Sequence, residues 1–355
     1  MPATSIDTFF ACALMVLLFL SAMAGASKLL YPHIYAGVDR NTAERYRELS
    51  KYLLLSEGKP SDWGKNFSKA PEAFGLAKAA SSLAYELDID KVSRLNGNNR
   101  YAVSYADIFT ALKISDASFR IEIKPVFQVS LNLTATFEDV NETVYKFRIL
   151  TEKHGTAVGA LLKCYVVAED YLWTSNVYSS DGVAYVNVTL SSSVNGPALL
   201  VVLAKANSNL RIMSFNALSF SHNSSEPKPV GAFLKLSPLN YTLNALHLYS
   251  GISLLTAYAL TFNYSSSLTQ TANDNQSATF SVPCILDSSP TLLVLTGYNS
   301  TEFFTEWTAY PQIPISIGMD FTSAASLSNV FVYTYLVTIS SNIYECTIWL
   351  GGPRE

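Results

Sequence analysis

The hydrophobic positions of this chain fall into three regimes. Residues 8–27, TFFACALMVLLFLSAMAGAS, carry no charge, and as a helix they would cross about 30 Å of hydrocarbon. Residues 41–55 are mixed, with Tyr46, Leu49 and Leu53 at the spacing of one helical face. Asn41 and Glu44 stand there as a capping box and Glu57-Gly58-Lys59-Pro60 as a stop. From Ser118 the period changes to two. Phe119, Ile121 and Ile123 alternate with Arg120, Glu122 and Lys124, which is how a half-buried strand reads.

Alternation then recurs. Runs over 129–137, 143–150, 159–167, 182–190, 198–206 and 211–220 join the run at Ser118 to give the strand number and spacing of an immunoglobulin-like sandwich. Residues 222–229, HNSSEPKP, read as a linker. Beyond them, strand patterns over 231–236, 254–262, 278–282, 291–295, 303–309, 330–339 and 343–350 predict a second sandwich. Between the apolar segment and the strands lie a turn-rich stretch at 60–80, a short helix at 88–95, and one at 106–112 capped by Ser104 and Asp107. Pro32 should end the first helix, because proline lacks the amide hydrogen and disfavours helix at the residue before it.

The predicted fold is therefore mainly β, with five parts. These are an N-terminal transmembrane or pilin-like helix at 1–30, a helical or mixed stalk module at 31–116, a first Ig-like β-sandwich at 117–221, the linker at 222–229, and a second β-sandwich at 230–355.

Composition adds the compartment. With 24 basic against 28 acidic residues there is no basic field for nucleic acid. Aromatic residues at 12%, including 21 tyrosines, suit half-buried strands. Nine Asn-x-Ser/Thr acceptor sites lie beyond the apolar segment, at Asn66, Asn132, Asn141, Asn187, Asn223, Asn240, Asn263, Asn275 and Asn299. Chance alone would give roughly four. Their excess predicts a glycoprotein whose C-terminal body is extracellular. The apolar segment is then a retained single-pass anchor in the cell membrane, or a signal peptide cut after Ala24-Gly25-Ala26. Long domains translocate largely regardless of flanking charge, so Lys28 and Arg40 do not set the topology. Cys12 lies in the apolar run and Cys164 in the first β region, which leaves Cys284 and Cys346 as the pair able to form a disulfide within one domain, with two buried free thiols as the alternative.

No catalytic constellation emerges, and no cofactor or metal site is predicted. His33, His154, His222 and His247 lie far apart, without ligand spacing to one another or to cysteine. Glu302 and Glu306 flank aromatic residues as glycosidase carboxylates do, but on one strand they read as solvated edge charges. Asp88 and Asp90 are too few for calcium and suit a helix cap.

The N-terminal residues Ala3-Thr4-Ser5-Ile6-Asp7-Thr8-Phe9, leading into an uncharged helix, resemble the start of archaeal type IV pilin-like proteins. That resemblance implies a filament-core helix. Cleavage after Pro2 would make Asp7 the fifth residue, where the family carries a carboxylate that pairs with a neighbouring subunit's amino terminus. LLLSEGKPSDWG with FGLA behind it resembles the segment after the hydrophobic helix in archaeal pilin-like surface proteins. The chain departs from the family in lacking a Lys or Arg followed by Gly or Ala before the helix, and in Pro32. Asp181-Gly182 before VAYVNV resembles the turn and strand of bacterial Ig-like and transthyretin-like surface modules.

These readings predict a non-enzymatic structural or adhesive protein of the cell surface, contacting the membrane through its N-terminal helix and able to form a homo-oligomer or filament. The alternative is a glycan- or peptide-binding module with Trp307 and Tyr310 as its platform. An extracellular hydrolase ranks last.

Overall fold

The computed structural model describes residues 3–114, 117–224, 226–284, 290–300, 302–321 and 330–351. Within the N-terminal forty residues, the side chains described are Ala11, Cys12 and those of 14–24. Asp7, the carboxylate of the pilin resemblance, and Pro2 lie outside that set. Two units make up the chain, Met1–Lys51 and Tyr52–Glu355.

Helix α1 spans Ala3–Leu55 without interruption, about 80 Å at 1.5 Å per residue. The expected break at Pro32 and the separate second helix do not occur. A proline removes one hydrogen bond from the ladder, and the helix continues past that single loss. Among the described residues, no helix is long and apolar enough to cross a membrane.

In the second unit the chain first builds a base. Strand β1 (Glu86–Leu87) leads into α2 (Ile89–Ser93). Asp88 caps α2 by accepting from the Asp90 and Lys91 amides at 3.0 Å. Helix α3 (Tyr105–Leu112) begins with the capping box expected from Ser104 and Asp107. Strand β2 (Ser118–Pro125) comes next.

The strands after it are β3 (Gln128–Glu138), β4 (Glu142–Lys153), β5 (Thr156–Ala157), β6 (Ala160–Ala168), β7 (Tyr171–Ser179), β8 (Val183–Ser191), β9 (Ala198–Ala206) and β10 (Met213–Phe220). One sheet places β4 between β3 and β8, with β5 at its end, and a second runs β10-β9-β6-β7. The two share one core, in which Val129, Phe147, Ile149, Val186 and Val188 meet Leu162, Cys164, Leu200 and Val202. Their alternation is the period-two pattern realised: inward positions are apolar, and outward ones such as Asn132, Lys146, Tyr185 and Asn187 face solvent. Gly182 makes the turn into β8 at φ +81°, where a Cβ would meet the Thr151 carbonyl oxygen at 2.8 Å.

After the connection come β11 (Leu234–Leu239), β12 (Thr242–His247), β13 (Ile252–Leu260), β14 (Ser265–Ser267), β15 (Thr269–Asn273), β16 (Ser277–Ser281), β17 (Thr291–Asn299) and β18 (Glu302–Tyr310). Their sheets, β11-β12-β16-β15 and β14-β13-β17-β18, enclose a second core built on Leu243, Ala259, Phe280, Leu293, Leu295 and Phe304. The two layered bodies share a strand order: β3-β4-β8 corresponds to β11-β12-β16, and β10-β9-β6-β7 to β18-β17-β13-β14.

The chain then returns to the base through β19 (Ile315–Gly318), β20 (Phe331–Ile339) and β21 (Asn342–Gly351). The base sheet runs β1-β20-β21-β2-β19. Two expectations are corrected here. By its pattern β2 opens the first sandwich, yet Ile121 pairs with Ile348 of β21. Strands β20 and β21, expected in the second sandwich, instead complete the base. β2 is apolar on the face carrying Phe119, Ile121 and Ile123, and these meet the equally apolar β21, so burial and not chain order selects the partner.

Hydrogen bonds join the three parts of this unit. The Tyr165 hydroxyl donates to the Thr261 carbonyl at 2.8 Å, and Thr305 Oγ1 donates to the Pro197 carbonyl at 2.9 Å. The Ile343 amide donates to the Arg211 carbonyl at 2.8 Å. At the base, Asn99 Nδ2 donates to Gln312 Oε1 at 3.0 Å.

Candidate functional site

The first layered body, the second and the base converge on Trp307. This residue stands on β18 opposite Val294, on the face turned away from the core that holds Phe304 and Tyr310. It is half-buried and lines two hollows. One, of about 430 Å³, is bounded by residues 124–130, by the β4–β5 turn and by Ser214, Phe215 and Asn216 of β10. The other, of about 350 Å³, lies between Gly231, Leu234 and Lys235 on one side and Glu306 and Thr308 on the other.

Local structure explains why the first hollow is polar at its rim. The β4–β5 turn carries His154 at φ +50° and Gly155 at φ +77°, the paired positive angles of a tight hairpin. This turn holds Glu152, Lys153 and His154 at the hollow's edge. Lys124 Nζ lies 3.2 Å from Glu345 Oε1, and Lys153 Nζ 3.9 Å from Oε2 of the same carboxylate. Among the described residues, Gln128, Glu152, His154 and the Trp307 indole form no side-chain hydrogen bond or ion pair, so their donors and acceptors face open space.

Each hollow is floored by a polar bridge. In the first, Asn216 Nδ2 donates to the Val129 carbonyl at 2.7 Å. In the second, the Glu306 carboxylate accepts from the amides of Gly231 at 2.7 Å, Phe233 at 2.6 Å and Leu234 at 3.2 Å. Burial pushes the Glu306 carboxyl above its ordinary value, and these amides act against the shift. The expected Glu302–Glu306 edge pair is thus divided. Glu306 is 2% exposed and committed to backbone, while Glu302 lies 3.6 Å from Lys228 Nζ.

Tyr310, expected with Trp307 in an aromatic platform, is withdrawn from the surface. It is 2% exposed, and its hydroxyl donates to Asp90 Oδ1 at 2.7 Å. Burial beside Asp90 drives that hydroxyl far above the usual tyrosine range. Asp90 also accepts from the Asn240 amide at 2.7 Å, so Asp88 serves as a helix cap and Asp90 as an internal acceptor.

Of the histidines, His222 is buried with Nδ1 2.9 Å from the Tyr145 hydroxyl; the His33 side chain lies outside the described residues. No group of three His, Cys, Asp or Glu among the described residues could hold a metal ion. Cys284 and Cys346 are free thiols, not the expected disulfide. Cys346 points into the base core from β21 while Cys284 is exposed beyond β16, because the two strands belong to different sheets. All nine glycan acceptor sites reach solvent: Asn66 and Asn299 are half-buried and the other seven exposed.

Sequence reasoning reached Trp307 but missed Gln128 and Glu152. Both sit in strand-like alternation, and their meeting with Trp307 depends on pairings distant in sequence.

No protein-family model and no characterised protein sequence matches this chain. Among solved structures it is similar to HBP35 of Porphyromonas gingivalis, at 13% identity and a TM-score of 0.18, over 52% of this chain and 64% of that one.

Proposed function

We propose that this is a non-enzymatic structural or adhesive protein of the cell surface, held by the apolar part of α1 with its β-rich body outside the cell. The observation that carries the reading is the exposure of Leu14, Met15, Val16, Leu17, Leu18, Phe19 and Leu20, between 57% and 74% each. Seven consecutive residues cover every side of a helix. Apolar surface on all sides is unfavourable in water and favours lipid or neighbouring helices. The acceptor asparagines, all accessible, support an extracellular body.

The shared strand order supports reading both layered bodies as immunoglobulin-like. Their sheets correspond to A-B-E and G-F-C-C′ of that arrangement, with β15 in the place of strand D. Small residues in the apolar run, among them Ala11, Ser21, Ala22 and Ala24, allow close helix approach, so a pilin-like filament of buried α1 helices is the second form of the same proposal.

Intact mass and N-terminal peptide mapping of the protein from membranes and from shed material test this. A mature chain that retains 9–26 supports the anchor and filament forms, and electron microscopy of the shed fraction then separates them. A chain beginning at Ser27 refutes both.

A further inference from the structure

We propose that the groove crossing Trp307 binds a neutral oligosaccharide. The inference concerns the β-rich body and does not depend on how the chain is held at the surface.

The groove has the form such a ligand needs. Hollows of about 430 and 350 Å³ lie on either side of one half-buried indole, so a ligand longer than one ring would cross Trp307 and fill both. The flat aromatic surface suits the apolar C–H face of a sugar ring, and the indole N–H is available to a hydroxyl. Around it, the Gln128 amide, the Glu152 carboxylate and the His154 imidazole, all without side-chain partners among the described residues, offer donors and acceptors at several angles. A few convergent polar groups around an apolar surface fix orientation in such sites.

Charge selects the neutral class. Glu345 lies 3.2 Å from Lys124 Nζ and 3.9 Å from Lys153 Nζ. With Glu152 the first hollow's fixed charges cancel, two positive against two negative, and in the second Lys235 stands against Glu306, so neither hollow offers an anion a net positive charge. A peptide adding as a strand is disfavoured for a different reason. At the open edge of β3, the Val129 carbonyl already accepts from Asn216 Nδ2, so the main-chain ladder that strand addition uses is interrupted. The walls come from three joined parts of one unit, so the groove is formed before a ligand arrives, which lowers the ordering cost of binding.

The test uses the full chain in detergent, titrated with neutral tetrasaccharides of glucose, mannose, galactose and N-acetylglucosamine and followed by tryptophan fluorescence and ligand-observed NMR. At least one saccharide is expected to saturate below ~10 mM, with Trp307→Ala abolishing binding and Gln128→Ala weakening it roughly fivefold. Gln128 is exposed, so its variant folds even if loss of Trp307 does not. The proposal is overturned if none of the four binds, if binding survives in Gln128→Ala and Trp307→Ala unchanged, or if an anionic saccharide or an extended peptide binds more tightly than every neutral one. Self-association of glycosylated chain that Trp307→Ala removes would assign the sugar to the protein's own acceptor sites. Equal behaviour of unglycosylated chain would assign it to another surface.

Discussion

Asn216 and Glu306 occupy the same place in the two layered bodies. Asn216 pairs with Val202, the fifth residue of β9, and Glu306 pairs with Leu295, the fifth residue of β17. From these equivalent positions each reaches across the open side of its layered body to the backbone beside the opposite sheet. The solutions differ chemically: a donor meets one carbonyl in the first, and an acceptor gathers three amides in the second. Glu306→Ala should therefore cost about 2–4 kcal/mol, since it strands buried amides, against about 1 kcal/mol for the less buried Asn216→Ala. Urea unfolding measures both, and a larger loss for Asn216→Ala would refute the ranking.

Buried carboxylates set an unusual pH response. Burial raises the carboxyl of Asp90 against the opposing hydrogen bonds of Tyr310 and Asn240, and raises Glu306 against its backbone amides. A raised acid binds its proton more tightly in the folded state than in the unfolded chain. Its stabilisation is complete below the unfolded value and is lost as pH rises through the folded value. Wild type should therefore gain stability relative to Glu306→Gln as pH falls from neutral toward 4.5, the ordinary value for this carboxyl. Thermal melts of the two proteins across that window check the sign, and a difference that shrinks on acidification contradicts it.

The thiols should separate by reactivity. Burial pushes Cys164 and Cys346 up to about 12, leaving almost no thiolate at neutral pH, whereas Cys284 is exposed. Native alkylation coupled to peptide mass spectrometry should label Cys284 at least ~10-fold faster than Cys346. Recovery of a Cys284–Cys346 disulfide peptide would overturn this assignment.

Glycan occupancy should be uneven. Asn223 Nδ2, the atom a glycan would take, donates to the carbonyls of Ser192 at 2.8 Å and Val194 at 3.0 Å. Modification there sacrifices at least one of these bonds. Asn132 and Asn187 stand on the outer face of one sheet, opposite Arg148 and Lys146, with their side chains exposed. Site mapping of the protein from its native source should find Asn132 and Asn187 filled and Asn223 empty; the reverse distribution would exclude this account.

Local structure is legible in the sequence where one face of a strand is buried. The run at 198–206 matches β9 at both ends, and the Ser104 and Asp107 cap forms as expected. β7, YLWTSNVYS, escapes notice because its core-facing side mixes Tyr171, Trp173 and Val177 with Ser175 while Leu172 and Tyr178 stand on the outer side, which blurs the alternation in the sequence. Domain boundaries are less readable. Nothing local to Phe119 or Ile121 states that their partners are Leu350 and Ile348, since an apolar face fits any apolar face of the right width. The groove is obscure for the same reason: Gln128, Glu152 and Trp307 belong to strands whose proximity is set by long-range closure. Glu306 is visible as a carboxylate among aromatics, but its partners at Gly231 and Phe233 lie in a connection whose course the sequence does not reveal.

The pairing of Glu122 with Thr347 imposes an order on biosynthesis. β2 emerges from the ribosome more than two hundred residues ahead of the strand that will sit beside it. Both layered bodies, each made of contiguous chain, can close while synthesis continues, and domains generally fold as such units. During that interval the apolar face of β2 waits uncovered. The base is thus the last part to close and the part most exposed to premature association, because Phe119, Ile121 and Ile123 stay uncovered until β21 arrives.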